Sequence, residues 1–280
     1  MHFIKGKLLL FDLETDAKDP DDARLIEAAA VHVVPTMGRV ERSWLAVPER
    51  PIPAEATGVH GITTERAAAE GKPRHEVLRQ IVTQLLLWDD ECPLIGHNIN
   101  YDLTVLDREL DRVCGTRLEL RGPVVDTFLL DKCLDQWRPG SRQLTDTARH
   151  YRINLDKAHS ACADAVAAGQ IAWRMSTIKA WPRGRYGPAP IERESRALIA
   201  TGDAWALHEA QKRWFAVKQR ELAEYFRTSK AVESIERKVA EGRMTRQAGD
   251  AAILDLPASA DRAQALAEGG WPLRPLLATT

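Results

Sequence analysis

The stretch LLLFDLET, Leu8 to Thr15, decides the fold and places two acids in an unusual position. Its apolar run is typical of a buried strand. Residues two apart on a strand point to the same face, so Asp12 and Glu14 project together. They could be two unconnected acids at a solvated strand end. Because the preceding run resembles a core strand, we instead expect a partly buried pair that must take up protons or hold a cation. Mg²⁺ or Mn²⁺, which prefer oxygen ligands, would suit it.

The composition is that of a globular protein, with 280 residues, 44% hydrophobic and 28% charged, and a net charge of −1. Four scattered cysteines form neither a CxxC pair nor a zinc-like Cys/His spacing, so we expect no disulfide framework and no zinc site. No apolar run approaches the ~18 residues of a membrane span, and acids interrupt the N-terminal apolar stretch before it reaches signal-peptide form. We therefore expect a cytoplasmic protein that does not bind membranes.

Strand patterns come first along the chain, at Lys7–Leu13, Leu25–Val34 and Arg39–Val47. Helices and short strands then alternate: a helix at Glu65–Asp89, a strand at 93–98, a helix at Tyr101–Val113, a strand or helix entry at Val124–Leu130, and helices at Leu144–Tyr151 and Ala161–Met175. This order predicts an α/β fold with a mixed sheet flanked by helices.

Pro and Gly cluster in WPRGRYGPAP, which begins at Trp181. Such a cluster is typical of a linker. We therefore predict a domain over residues 1–178, a linker over 179–190 and a mainly helical C-terminal region over 191–280. Helical spacing in that region predicts helices at Arg193–Arg227 and Lys230–Asp255, followed by a segment with little pattern.

Further acids and a histidine stand at the ends of predicted elements. Asp102 follows the strand at 93–98 in the first turn of a helix, and Asp164 lies near the start of another helix. His159 is five residues before Asp164, too far to share a helix face, so we place it in the preceding turn. Taken alone, Asp102 could be a helix-start acid favoured by the dipole, and His159 a surface histidine.

The motifs FDLET, GHNINYD and HSACAD occur in this order. With them the sequence resembles the DEDDh (DnaQ-like) family of 3′–5′ exonucleases, the group of the proofreading epsilon subunit of bacterial DNA polymerase III. The resemblance covers roughly Leu8 to Met175. It includes IPAEATGVHGIT, similar to the family's IPxEAxxVHGIT stretch. It implies a ribonuclease H-like fold, to which the helical pattern beyond the linker adds a C-terminal helical extension.

The resemblance also implies roles for individual residues. Two divalent ions, Mg²⁺ or Mn²⁺, would be bound by four acids: Asp12, Glu14, Asp102 and Asp164. His159 would be the general base, since a histidine with a pKa near 6.5 can take a proton from water at neutral pH. Two ions roughly 4 Å apart can screen a phosphodiester and stabilise the leaving 3′-oxygen.

Thr15, Glu55 and His60 match family positions that contact the terminal nucleotide. The alternative is that VHGIT is only a turn closed by Gly61. The family often reads FDxETTG, whereas Asp16 and Ala17 stand here, so the loop over the 3′ nucleotide can differ.

Three functions follow from this pattern. The first is a 3′–5′ exonuclease that releases nucleoside 5′-monophosphates from DNA 3′ ends, in proofreading, repair or end trimming. The second is an exoribonuclease that trims RNA, because the same five residues could hydrolyse either polymer. The choice between DNA and RNA depends on how the site accommodates the 2′ position of the sugar. The third is a non-catalytic nucleic-acid-binding or scaffolding module, which the five filled catalytic positions disfavour.

From the predicted linker onward, the chain holds four of the eight tryptophans, Trp181, Trp205, Trp214 and Trp271, among basic residues. Packing of its helices is the simplest interpretation. Stacking on single strands is an alternative, and docking of a polymerase or another protein is a third.

Overall fold

The computed structural model describes residues 2–155, 160–179, 181 and 189–275. The chain divides into two compact units, Met1–Gln211 and Lys212–Thr280. The predicted linker at 179–190 lies mostly outside the described residues, so the assignment of domains at that point stays a prediction.

The first unit contains a five-stranded mixed sheet in the order β3-β2-β1-β4-β5. The strands are β1 (Leu8–Thr15), β2 (Leu25–Val34), β3 (Gly38–Leu45), β4 (Leu94–Gly96) and β5 (Val124–Asp126). The central strand β1 is antiparallel to β2 and parallel to β4, while β3 and β5 extend the two sides. The predicted α/β fold with a mixed sheet is confirmed.

Helices cover the sheet in the first unit. They are α1 (Ala54–His60), α2 (Thr64–Glu70), α3 (Arg74–Leu85), α4 (Ile99–Cys114), α5 (Thr127–Leu134), α6 (Leu144–Tyr151), α7 (Ala161–Thr177) and α8 (Pro190–Thr201), after a short 3₁₀ turn at Phe3–Lys5. Helix α7 packs on β1, β2 and β4. Gly169 permits this approach, since a Cβ there would lie only 2.7 Å from a methyl group of Leu10.

The prediction of one helix over Glu65–Asp89 is wrong, because α2 ends at Glu70, just before Gly71, and α3 begins after Pro73. At Gly71 the backbone meets another segment: a Cβ would lie 2.7 Å from the Val47 nitrogen. Sequence reasoning also missed α1, which ends at Gly61 in the left-handed conformation with φ of 71°.

The C-terminal helices are α9 (Ala204–Phe226), α10 (Ser229–Ala240) and α11 (Arg246–Ala267). The segment Arg193–Arg227 is helical, as predicted, but it is divided into two helices, since Gly202 ends α8 with φ of 69°. The segment Lys230–Asp255 is also helical, as predicted. Two helices occupy that segment, and α11 continues past its internal Pro257. In the second unit, α10 and α11 pack around a small apolar core of Ala231, Ile235 and Leu256.

Within the described residues, no helix has the length and apolar character needed to cross a membrane.

The outer edge of β5 is covered by side chains from the start of α9. The Gln211 amide accepts the Asp126 N–H (2.8 Å) and donates to the Val124 carbonyl (3.0 Å). His208 Nδ1 accepts the Val124 N–H at 3.1 Å. An edge strand otherwise presents unpaired backbone groups. Gln211 therefore satisfies two of them in the way a neighbouring strand would.

Replacing Gln211 should destabilise the protein because two buried backbone groups of β5 would lose their partner. We expect Gln211→Ala to lower the free energy of unfolding by about 1–3 kcal/mol. Urea denaturation followed by tryptophan fluorescence measures the effect. The matched control is Gln247→Ala on the exposed surface of α11, which should change stability by less than about 0.5 kcal/mol. Equal stability of the two variants would contradict this role of Gln211.

Candidate active site

Three acids converge at one end of the sheet. Ligand atoms of Asp12, Glu14 and Asp164 all lie within 4.8 Å of one another. Asp12 and Glu14 share a face of β1, as predicted. Asp164 projects from the first turn of α7, and α7 reaches this position because it packs on β1.

Asp102 is held beside this cluster by the backbone of β1. It lies in the first turn of α4, and its Oδ1 accepts the N–H of Leu13 at 3.0 Å. Leu13 stands between Asp12 and Glu14, so the bond ties α4 to the strand that carries the pair. Asn98, with φ of 63°, turns the chain from β4 into α4. All four predicted acids therefore lie at this end of the sheet.

Burial and mutual repulsion make these carboxylates hard to ionise. The pKa of Glu14 rises from 4.5 to about 8, because of burial first and then the charges of Asp164, Glu27 and Asp102. Burial also raises the pKa of Asp102 to about 8, although the Leu13 N–H opposes the shift. The pKa of Asp12 is well above its ordinary range for the same reasons. This donor set, made only of hard carboxylate oxygens, could hold divalent cations that neutralise it.

Sequence reasoning missed a fifth acid, Glu27. It lies on β2 directly opposite Glu14, and its Oε2 accepts the Ala161 N–H at 3.1 Å. The available signal was the single acid in the otherwise apolar stretch LIEAAAV. Its partner is 134 residues away in the sequence, so spacing alone does not reveal the contact.

The β1–β2 loop is anchored at Thr15. Its hydroxyl is 2.5 Å from the Tyr101 hydroxyl, and Tyr101 also donates to the Ala17 carbonyl. Tyr101 precedes Asp102, so the helix that supplies an acid also fixes this loop. Whether Thr15 contacts substrate stays a prediction.

Asp16, which departs from the family's usual sequence, is bound on several sides. Its side chain is 1% exposed and accepts two bonds from the Arg50 guanidinium, at 2.6 and 3.1 Å. It also accepts the Arg24 backbone N–H at 2.7 Å. The loop thus has a defined conformation that depends on Arg50, a residue that sequence reasoning did not identify.

The remaining predicted substrate residues lie on α1. Glu55 is exposed in its first turn and forms an ion pair of 2.5 Å with Lys18 of the β1–β2 loop. His60 is buried at its end, where Nδ1 accepts the Ile62 N–H at 3.1 Å. Substrate contact by Glu55 and His60 stays a prediction. His159 lies outside the described residues.

Residues after β4 and β5 support the cleft. His97 Nε2 bonds the Arg142 carbonyl at 2.8 Å, and burial lowers the pKa of His97 to about 4. Asp126 accepts the Asn98 N–H at 2.9 Å and caps α5.

The model of the RNase T family, described as exonuclease, matches residues 9–172. The chain belongs to this exonuclease family. The resemblance inferred from the three motifs is confirmed, since relatives named DNA polymerase III subunit epsilon also match the chain.

Two relatives, one of the PolC type and one subunit epsilon, show the extent of the similarity. A PolC-type DNA polymerase III of Latilactobacillus sakei is 27% identical over 172 residues, which is 61% of this chain and 11% of that protein. The DNA polymerase III subunit epsilon of Rickettsia typhi is 29% identical over 186 residues, covering 61% of this chain and 76% of that protein. The exonuclease chain thus spans about a tenth of the PolC-type relative.

Solved structures of exonuclease I share the fold. One described as suggesting how processivity is achieved superposes with a TM-score of 0.53 at 20% identity, over 62% of this chain and 41% of that one. A zinc-bound form of the E. coli exonuclease I complex with single-stranded DNA gives 0.52 at 19% identity, with the same coverage. The predicted ribonuclease H-like fold is confirmed.

The metal-free protein should lose stability as the pH rises from about 4.5 to 8. The folded state holds the Glu14 proton more tightly than the unfolded state, so its contribution is full below pH 4.5 and is lost as the pH rises toward 8. Glu14→Gln cannot ionise. At pH 8.5 in EDTA, we expect the free energy of unfolding of Glu14→Gln to exceed that of wild type by on the order of 2–4 kcal/mol.

Chemical denaturation at pH 4.5 and 8.5 measures this difference, which should nearly vanish at the lower pH. Glu119→Gln, an exposed acid-to-amide change, is the control and should match wild type at both values. A Glu14→Gln variant with the pH dependence of wild type would contradict the repulsion described above.

Proposed function

We propose that this chain is a metal-dependent 3′–5′ exonuclease that hydrolyses DNA from 3′ ends and releases nucleoside 5′-monophosphates. The observation that carries the proposal is the convergence of Asp12, Glu14 and Asp164 within 4.8 Å, with Asp102 bonded to the intervening strand. This activity would serve proofreading, repair or end trimming. We also propose that the protein is cytoplasmic and that residues 191–280 bind a polymerase or another protein.

The donor set fits two divalent ions, Mg²⁺ or Mn²⁺. All four side chains offer hard oxygen ligands, and burial and the neighbouring carboxylates raise the pKa values of Asp12, Glu14 and Asp102 above their ordinary ranges. When bound, such ions would stabilise the negative charge that develops on the phosphate.

The chain's own residues would supply orientation and proton transfer. His159, which directly precedes the N-cap residue Ser160 of α7, would take the proton of the attacking water. Thr15, Glu55 and His60 would orient the terminal nucleotide. Since the ion pair of Glu55 with Lys18 is exposed, a substrate can replace it at little cost.

The relatives favour DNA as the polymer. They are named as DNA polymerase III proteins, and a similar exonuclease I structure is in complex with a dT13 oligonucleotide. The alternative is trimming of RNA, and a direct comparison of DNA and RNA substrates distinguishes the two.

A 5′-labelled single-stranded DNA, incubated with Mg²⁺ or Mn²⁺, should be shortened from its 3′ end. EDTA should abolish the reaction, and Asp12→Ala should lower the rate by at least about 10³-fold because a metal ligand is removed. Asp146→Ala, a change of an acid on α6, is the matched control and should retain activity. Preferential digestion of an RNA of the same sequence would overturn the choice of DNA. Cleavage of neither polymer would contradict the proposed activity.

Loss of the general base should affect the chemical step and spare binding. We expect His159→Ala to reduce the rate about 10²–10⁴-fold while Mn²⁺ affinity and DNA affinity stay near wild type. In wild type, the rate should rise with pH as a group with a pKa near 6.5, the ordinary value for histidine, loses its proton. Single-turnover digestion and calorimetry measure the two effects. Near-normal turnover of this variant would remove His159 from the mechanism.

A further inference from the structure

Glu27 adds a further carboxylate to a cluster that already repels itself. It lies opposite Glu14 in the antiparallel pair of β1 and β2, so the two Cβ atoms are about 4.5–5.5 Å apart. Like charges in this position destabilise a sheet. An alanine would suit the surrounding stretch, in which Ile26 and Ala28 are buried. A specific contact must therefore account for an acid here.

That contact is with the first residue of α7. Glu27 Oε2 accepts the Ala161 N–H at 3.1 Å. The first N–H groups of a helix have no acceptor within the helix, and the N-cap residue Ser160 makes no side-chain capping bond. Glu27 supplies the missing acceptor from a neighbouring strand. Its charge is also favourable at the positive end of the helix dipole.

The same turn carries Asp164. Ala161 and Asp164 are three residues apart in α7, so they lie on the same side of its first turn. A bond that fixes Ala161 against β2 also fixes the point from which Asp164 projects toward Asp12. Small displacements matter in such a site, because ligands must converge within tenths of an ångström to hold an ion.

We propose that Glu27 is a positioning residue, which docks the first turn of α7 on β2 and thereby places Asp164 in the metal site. This inference rests on the proposed function, since it requires that the acids bind metal. Glu27 acts here through its hydrogen bond and its length. A direct contribution of its charge to cation binding is the competing explanation.

Two substitutions separate these explanations. Glu27→Gln keeps the length and an acceptor oxygen and removes the charge. Glu27→Asp keeps the charge, but it is one methylene shorter and draws back from Ala161. A positioning role predicts that Gln rescues function and Asp does not, whereas a charge role predicts the reverse.

The experiment is a calorimetric titration of the full chain with Mn²⁺, after circular dichroism has shown that each variant is folded. We expect Glu27→Asp to weaken Mn²⁺ binding by at least about ten-fold, the usual effect of losing a residue that orients a ligand. Glu27→Gln should stay within about three-fold of wild type. Glu119→Gln controls for loss of a remote charge. Wild-type affinity of Glu27→Asp, or weaker binding by Glu27→Gln than by Glu27→Asp, would overturn the proposal.

Exchange of the Ala161 amide proton, followed by NMR without metal, gives a second readout. The amide should be protected in wild type and Glu27→Gln and should exchange faster in Glu27→Asp. Equal protection in all three proteins would also overturn the proposal. If wild type itself bound no Mn²⁺, the metal site would be refuted together with the proposed function. Normal binding by wild type and Glu27→Asp would refute only the role of Glu27.

Discussion

Repulsion among carboxylates at the end of β1 is the constraint on which the rest of the structure depends. Asp12 and Glu14 project from a central strand in which Leu9 and Phe11 are fully buried. The apolar contacts of this strand hold the two acids in place, although their charges favour separation. The sheet therefore supplies the rigidity, and the acids supply closely spaced carboxylate oxygens.

The order of the strands explains how distant segments reach this point. Parallel strands β1 and β4 end at the same edge of the sheet, and α4 begins directly after β4. The first turn of α4 consequently delivers Asp102 to the backbone of β1. Helix α7 packs on β1, β2 and β4, and Gly169 lets it lie close enough to β1 for Asp164 to join the cluster. Each acid is thus placed by a backbone element instead of by a flexible loop.

Periodicity predicted the elements whose contacts are local or uniform. The bounds of β2 and α6 agree with the pattern of apolar residues, and the four acids follow from motif order. The failures have tertiary causes. A helix-like pattern runs across Gly71, but the chain must leave the helix there to meet the backbone of Val47. Sequence spacing likewise could not pair Glu27 with Ala161, since β2 and α7 meet only in the folded sheet.

The Asp16–Arg50 pair has a consequence for the response of the protein to ionic strength. Salt screens exposed charges over about 8–10 Å under ordinary conditions, but it acts weakly on a charge removed from water. The Asp16 carboxylate is almost fully enclosed and is bound in a two-pronged geometry. The β1–β2 loop should therefore keep its shape in concentrated salt. Any loss of activity under those conditions would then report weaker attraction of the polyanionic strand and not melting of the loop.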